Sequence, residues 1–274
     1  MTHQATSPAP LATRIAFLAW GVACYAAFFA CFLYAIAFIG DFGIAPKTID
    51  SGEPGPLGLA LAVDLGLLSI FALQHSGMAR PGFKRVWTKL VPEPAERPTY
   101  VLLSSLALAQ LFACWQPIGG TVWAATSEAG ATLVRALYFA GWGMLLYATA
   151  LIDHFDLFGL RQAWLGFRGR PYSPHPFKTP GLYKHMRHPL YVSWAIIFWA
   201  APEMSLGRLL FAIVSTVYMI VAVLLEERDL VAHFGDAYRR YQESTPRYLP
   251  RFGGRRGGRP ATARRMAPQA SSRN

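Results

Sequence analysis

The stretch IAFLAWGVACYAAFFACFLYAIAFIG, residues Ile15 to Gly40, contains no charged side chain. An α-helix needs about 20 predominantly apolar residues to cross the hydrocarbon core of a bilayer. This run is longer than the apolar core of a secretory signal peptide, and further apolar runs follow it along the chain. It therefore predicts a membrane-spanning helix rather than a cleaved leader.

Four more apolar blocks follow, at residues 57–75, 99–118, 132–152 and 189–225. The last is too long for one crossing, and its polar break AAPEMSLGR (residues 200–208) predicts a hairpin of two helices. Charged residues make up 15% of the chain, whereas soluble domains carry about 25%. We expect an all-α integral membrane protein with a bundle of five to six transmembrane helices.

The distribution of Lys and Arg among the loops predicts the orientation of these helices. Loops 77–98 and 153–188 carry several cations, whereas loop 41–56 carries one and loop 119–131 carries none. Since cationic loops stay in the cytoplasm, we expect an inner-membrane protein with six crossings and both termini cytoplasmic. Four polar clusters then share the cytoplasmic boundary, and ionisable groups at such a depth suggest a functional site. They are LQHS (73–76), IDHFDLFGLRQ (152–162), KHMRHPLY (184–191) and LLEERD (224–229).

The chain divides into four parts on this interpretation. We expect an N-terminal cytoplasmic segment (1–14), a four-helix transmembrane region (15–152), a C-terminal region with the helical hairpin (153–250) and a basic tail (251–274). The tail is rich in Arg, Gly and Pro and has no apolar face, which is typical of disorder. Much of the net charge of +11 lies in it, and we expect it to contact anionic lipid rather than nucleic acid.

An ordered set of short motifs occupies residues 175–250. It comprises Gly-x-Tyr, Arg-His-Pro-x-Tyr, Glu-Glu, Phe-Gly-x-x-Tyr-x-x-Tyr and a final Pro-x-x-x-Pro. This set resembles the isoprenylcysteine carboxyl methyltransferase superfamily, which also contains phospholipid methyltransferases. Its members are integral membrane enzymes that use S-adenosylmethionine. The upstream stretches LQHSGMARPGFKRVW and IDHFDLFGLRQAW are similar to the methanethiol S-methyltransferases of the NnrU-like branch, so the resemblance implies methylation of methanethiol to dimethyl sulfide.

The resemblance also implies a site for the cofactor at the cytoplasmic face. His188 to Tyr191 match the family's His-Pro-x-Tyr contact, Tyr183 matches its Gly-x-Tyr tyrosine, and Glu226 matches its cofactor-binding glutamate. Prenylcysteine enzymes have an Arg, attributed to handling of the substrate carboxylate, where this chain has Ala222; the difference favours a small neutral thiol. The full expected cofactor-binding set is His175, Phe177, Lys178, Tyr183, Arg187, His188, Pro189, Leu190, Tyr191, Glu226 and Glu227.

A thiol attacks as its thiolate, so a positioned base or a nearby cation should assist the reaction. The DHFD stretch supplies candidates for this role. We hypothesise that His154 or His75 is the base, oriented by Asp153 or Asp156, with Arg161 as an alternative stabiliser of the thiolate. The competing interpretation is a structural network that ties the helix ends together.

Three other classes of protein remain open at this point. A haem-dependent isomerase of the NnrU-like type would use His75 and His154 as iron ligands, although the Glu-Glu and Arg-His-Pro motifs argue against it. A phospholipid or prenylcysteine methyltransferase and a non-catalytic assembly factor are the others. Cys24, Cys31 and Cys114 lack metal-ligand spacing, so no metal site is expected. The oligomeric state cannot be predicted from the sequence.

Overall fold

The computed structural model describes residues 9–250, which form a bundle of helices with one small sheet. The predicted basic tail and residues 1–8 lie outside the described part. The strands are β1 (Thr121–Ala124) and β2 (Glu203–Ser205), and a short 3₁₀ helix covers Gly181–Lys184. The helices are α1 (Leu11–Gly40), α2 (Leu57–Ala79), α3 (Pro81–Trp87), α4 (Glu93–Cys114), α5 (Glu128–Ile152), α6 (His154–Leu157), α7 (Leu160–Phe167), α8 (Pro189–Trp199), α9 (Leu206–Phe234) and α10 (Asp236–Ser244).

Four helices of the described part are long and apolar enough to cross a membrane, namely α1, α2, α5 and α9. This confirms a helical membrane protein, while the predicted count of five to six crossings stays a prediction. The 22-residue α4 packs against α1 and α2. The 11-residue α8 packs against α5 and α9 and is only about 16 Å long, against a hydrocarbon core of about 30 Å.

The outer surface of the bundle is apolar. Leu33, Ile70 and Val217 are each about half exposed. In water such a surface would promote aggregation, whereas lipid tails solvate it at no cost. Only 22–33% of the residues in the four apolar windows are buried within the protein, so most of their side chains are at least partly exposed at the surface of the bundle.

The two ends of the bundle differ in character. At one end β1 pairs antiparallel with β2, and the buried Arg208 donates from Nε to Asp50 Oδ2 at 2.5 Å. Aromatic packing fixes the helices there, with Phe38 and Phe112 at a ring separation of 4.5 Å. We call the opposite end, where α2, α5 and α9 finish and α8 begins, the motif end.

Local chemistry explains how the helices stop and start at the motif end. Pro189 begins α8, where its missing N–H costs no hydrogen bond. Gly235 ends α9 with φ 57°, a conformation that a side chain disfavours. Gly159, with φ 88°, precedes α7, and a Cβ there would lie 2.6 Å from the Pro98 nitrogen. The chain therefore needs glycine where α7 meets α4.

Candidate active site

The adjacent carboxylates Glu226 and Glu227 have different surroundings. Glu227 is 5% exposed, and its Oε1 accepts from Arg187 Nε at 2.8 Å and from His188 Nε2 at 3.0 Å. Its Oε2 accepts from Arg247 Nη2 at 2.7 Å. Arg187 also donates to the carbonyl of Thr245 at 2.5 Å. Glu227 therefore ties the start of α8 and the 245–247 segment to α9.

Glu226 has far fewer partners. Its Oε2 accepts from the Tyr191 hydroxyl at 2.7 Å, and no Lys, Arg or His within residues 9–250 makes an ion pair with it. The hydroxyl of Tyr183 is buried and has no hydrogen-bond partner among the same residues. Burial, and then the nearby Glu226 carboxylate, raise the pKa of Tyr183 above its usual value. We call Glu226, Tyr183 and Tyr191 the Glu226 group.

The strip between α7 and the 3₁₀ helix runs past this group. His175 Nε2 lies 2.9 Å from Asp153 Oδ2, and the ring of Phe177 packs against Phe234 at 5.1 Å. Lys178 is exposed. Of the other predicted cofactor residues, Pro189 is buried at the start of α8 and Leu190 packs against the main apolar core.

The carboxylates of the DHFD stretch hold this strip in place. Asp156 Oδ1 accepts from Arg161 Nη1 at 2.9 Å, and its Oδ2 accepts from the Tyr172 hydroxyl at 3.2 Å. Arg161 donates also to the carbonyl of Ser173 at 3.0 Å. The structure thus brings Asp153, Asp156 and Arg161 together with the 172–175 strip, and within the described residues neither carboxylate hydrogen-bonds His154.

The contact between Asp153 and His175, which helps to hold this strip, depends on pH. Burial alone would raise the pKa of Asp153, but hydrogen bonds from the Asp156 N–H and from His175 outweigh it and lower the pKa. A carboxyl with a lowered pKa in the folded state stabilises the protein above its unfolded pKa and loses that contribution as the pH falls through the folded one.

We therefore expect thermal stability to fall more steeply in wild type than in Asp153→Asn when the pH is lowered below about 4, the usual aspartate range. Unfolding temperatures of both proteins across this range are the measurement. Asp236→Asn, a change to an exposed carboxylate, is the control and should follow wild type. Parallel curves for wild type and Asp153→Asn would contradict the prediction.

His154 is engaged on both ring nitrogens. Its Nδ1 lies 3.0 Å from Thr149 Oγ1, and that hydroxyl donates to the Leu146 carbonyl, so it accepts from Nδ1–H. The Tyr25 hydroxyl, 2.9 Å from Nε2, is then the donor to Nε2. Burial lowers the pKa of His154, against the opposing effect of Asp153. The contacts of this histidine are those expected of a structural network between α1 and α5.

His75 lies in a different polar environment. Its Nδ1 is 3.2 Å from Ser104 Oγ, and the Tyr100 hydroxyl is 3.1 Å from Nδ1 and 3.2 Å from Nε2. The neighbouring Ser76 hydroxyl lies 2.9 Å from the hydroxyl of Tyr218 on α9. The sequence reasoning missed Tyr100, Ser104 and Tyr218, for which the available signal was a polar side chain within an apolar helix.

Comparison with known proteins finds one matching family and several similar bacterial proteins. Residues 84–245 match the family described as "Protein of unknown function (DUF1295)". The chain is 47% identical to a methanethiol S-methyltransferase of Crocosphaera subtropica over 92% of this chain and 99% of the relative. It is 46% identical to a methanethiol S-methyltransferase of Mycobacterium tuberculosis over 84% of this chain and 94% of the relative.

A more distant similarity extends to a eukaryotic protein. The chain is 35% identical to Nurim of Homo sapiens over 62% of this chain and 68% of that protein. No solved structure matches the chain. The bacterial relatives are matched over nearly their whole length, and the chain therefore belongs to the methanethiol S-methyltransferase family.

Proposed function

We propose that this chain is a membrane-embedded methyltransferase that converts methanethiol to dimethyl sulfide with S-adenosylmethionine as the methyl donor. The observation that carries the proposal is the Glu226 group, where, among residues 9–250, a carboxylate with no ion pair lies near a buried hydroxyl with no hydrogen-bond partner. A buried polar group without a partner, such as the Tyr183 hydroxyl, is costly, and the partly buried Glu226 carboxylate carries a negative charge with one hydrogen bond. Together they favour a ligand that supplies hydrogen-bonding groups and positive charge. The bacterial relatives are named methanethiol S-methyltransferases. Their names indicate a methyl donor as the ligand and methanethiol as the acceptor.

The residues present fit such a cofactor. Glu226 would accept from its amine or from ribose hydroxyls, and Tyr183 and Tyr191 offer a hydroxyl and aromatic faces. Arg187 suits the cofactor's carboxylate less well, because its charge is already balanced by Glu227. The exposed Lys178 is a freer cation on the adjacent strip. When bound, the cofactor supplies a methyl group on a positively charged sulfur.

The rest of the chain would select and shelter the acceptor. Ala222 is 9% exposed and lies one helical turn before Glu226 on α9. A methyl group there offers nothing to a carboxylate, which supports a small neutral thiol over a prenylcysteine. Methanethiol and dimethyl sulfide are both uncharged, so they can enter and leave through the hydrocarbon core. We propose that the motif end faces the cytoplasm, since its loops carry most of the cations.

Purified protein incubated with S-adenosylmethionine and methanethiol should release dimethyl sulfide into the headspace. Boiled protein and a reaction without methanethiol are the controls. Calorimetry with S-adenosylhomocysteine separates the two parts of the proposal. Binding without dimethyl sulfide would reject the acceptor, while the absence of both would reject the methyltransferase assignment.

A further inference from the structure

A second polar group lies next to the Glu226 group, deeper along α9. His75 and Ser76 on α2 meet Tyr100 and Ser104 on α4, and Ser76 meets Tyr218 on α9. We call these residues the His75 cluster. Polar side chains within membrane helices are rare and are commonly functional. None of the comparisons assigns a role to any of them.

The Tyr100 hydroxyl lies close to three acceptors of His75. It is 3.1 Å from Nδ1, 3.2 Å from Nε2 and 3.2 Å from the His75 carbonyl, and its single proton can serve one of them at a time. Ser104 Oγ lies 3.2 Å from Nδ1 and can accept from Nδ1–H. When the Tyr100 proton is on the carbonyl and Nδ1–H donates to Ser104, the lone pair on Nε2 is available to accept a proton. His154 differs, because Tyr25 donates to its acceptor nitrogen.

The His75 cluster and the Glu226 group share α9. Tyr218, which contacts Ser76, and Glu226, which accepts from Tyr191, lie on this same helix. Tyr218 precedes Glu226 by two turns of α9, which is about 12 Å toward the middle of the helix. A ligand at the Glu226 group would therefore have the His75 cluster on its membrane side.

The surroundings of His75 match a small apolar thiol. The ring of Phe71 stacks on the imidazole at 5.3 Å, and the Tyr100 ring lies at 5.4 Å on a tilted plane. Aromatic faces and hydroxyls can accommodate a polarisable S–H group. A thiol that arrives from the hydrocarbon core would reach this cluster before it reaches the Glu226 group.

From these contacts we infer that the His75 cluster is the acceptor site for small alkyl thiols and that His75 Nε2 is the base. This rests on the proposed function. The S–H bond breaks with its electron pair left on sulfur, and the proton binds the Nε2 lone pair. Tyr100 and Ser104 are positioning residues that hold the imidazole with Nε2 toward the thiol.

The decisive experiment compares two acceptors of different acidity. Both thiols are assayed at about pH 8.5. A base matters most for methanethiol, which is still mostly protonated there, and matters less for the more acidic 2,2,2-trifluoroethanethiol, which is then mostly thiolate. His75→Asn should lower kcat/KM for methanethiol about 100-fold and for the acidic thiol by less than about tenfold. Affinity for S-adenosylhomocysteine, measured by calorimetry, should stay within about threefold of wild type. His233→Asn, a change to an exposed histidine on α9, is the matched control.

Two results would overturn the inference while the proposed function stands. One is an unchanged kcat/KM for methanethiol in His75→Asn, and the other is an equal loss on both thiols with affinity for S-adenosylhomocysteine intact. If wild type methylates neither thiol, both proposals fail together.

Tyr100→Phe provides a second, conservative test that keeps the ring and removes the hydroxyl. A positioning role predicts that kcat for methanethiol falls about tenfold, while KM for S-adenosylmethionine is unchanged and the acidic thiol is largely spared. This variant decides the question if His75→Asn loses S-adenosylhomocysteine binding. Equal losses on both thiols, or no loss on either, would reject the role of the cluster.

Discussion

Glu227→Ala should lower the free energy of unfolding by about 3–5 kcal/mol, because removal of one partner from a buried ion pair leaves the others uncompensated. The carboxylate and its partner Arg187 are 6% and 9% exposed at the side chain, so solvent screening is weak. Arg247, at 38% exposed, recovers part of its hydration. The loss should therefore come mainly from Arg187 and His188, which water reaches poorly.

Thermal unfolding in detergent micelles measures this effect. A loss of this size corresponds to a decrease in unfolding temperature of about 6–20 °C for a chain of this length. Asp229→Ala is the matched control, since Asp229 lies two residues further along α9 and its pair with Arg80 is 49% exposed at the carboxylate. That surface pair should contribute no more than about 1 kcal/mol. Equal shifts for the two variants would show that Glu227 does not stabilise the fold in this way.

Glu226→Gln should have the opposite profile, with stability close to wild type and a large loss of cofactor binding. The Tyr191 hydroxyl can still donate to the amide oxygen, so the one observed hydrogen bond survives. The negative charge does not survive. Loss of one partner of a partly buried, hydrogen-bonded charge pair costs about 2–5 kcal/mol, so affinity for S-adenosylhomocysteine and kcat/KM should fall by about 30-fold to several thousand-fold.

Calorimetry with S-adenosylhomocysteine and the dimethyl sulfide assay measure this loss, and thermal unfolding verifies the fold. Glu243→Gln, a change to an exposed carboxylate on α10, is the matched control. An affinity within threefold of wild type in Glu226→Gln would remove Glu226 from the cofactor site. Together the two adjacent variants separate a stabilising carboxylate from a ligand-binding one.

Local sequence predicted the membrane helices well and the other elements poorly. The apolar runs predicted α1, α2, α5 and α9, because the hydrocarbon core accepts almost any uncharged helix of sufficient length. Pro189 begins α8 and Gly235 ends α9 through their own backbone chemistry, which is also a local property of the sequence. The β1–β2 pairing was not predicted, since Thr121 and its partner Ser205 lie far apart in the chain.

The candidate site shows the same contrast between what local sequence predicts and what depends on distant segments. The motif residues lie at one end of the bundle, as the sequence predicts, yet their pairings depend on distant segments. Asp153 or Asp156 was hypothesised to orient His154 or His75, and in the structure Asp153 contacts His175. Nothing in the DHFD stretch reveals this pairing, because His175 reaches Asp153 only after α6 and α7 have turned the chain back toward α5.

By itself, the sequence determined a helical membrane protein with its ionisable motifs at the helix ends, since the length and polarity of each run decide its partition into lipid. Only the tertiary structure decided what each ionisable group does. Glu226 and Glu227 are identical neighbours about 100° apart around α9. One faces Arg187, His188 and Arg247, and the other faces two tyrosines. The charge that surrounds a side chain comes from segments remote in the chain, and on this difference rests our proposal that Glu227 stabilises the fold and Glu226 binds the cofactor.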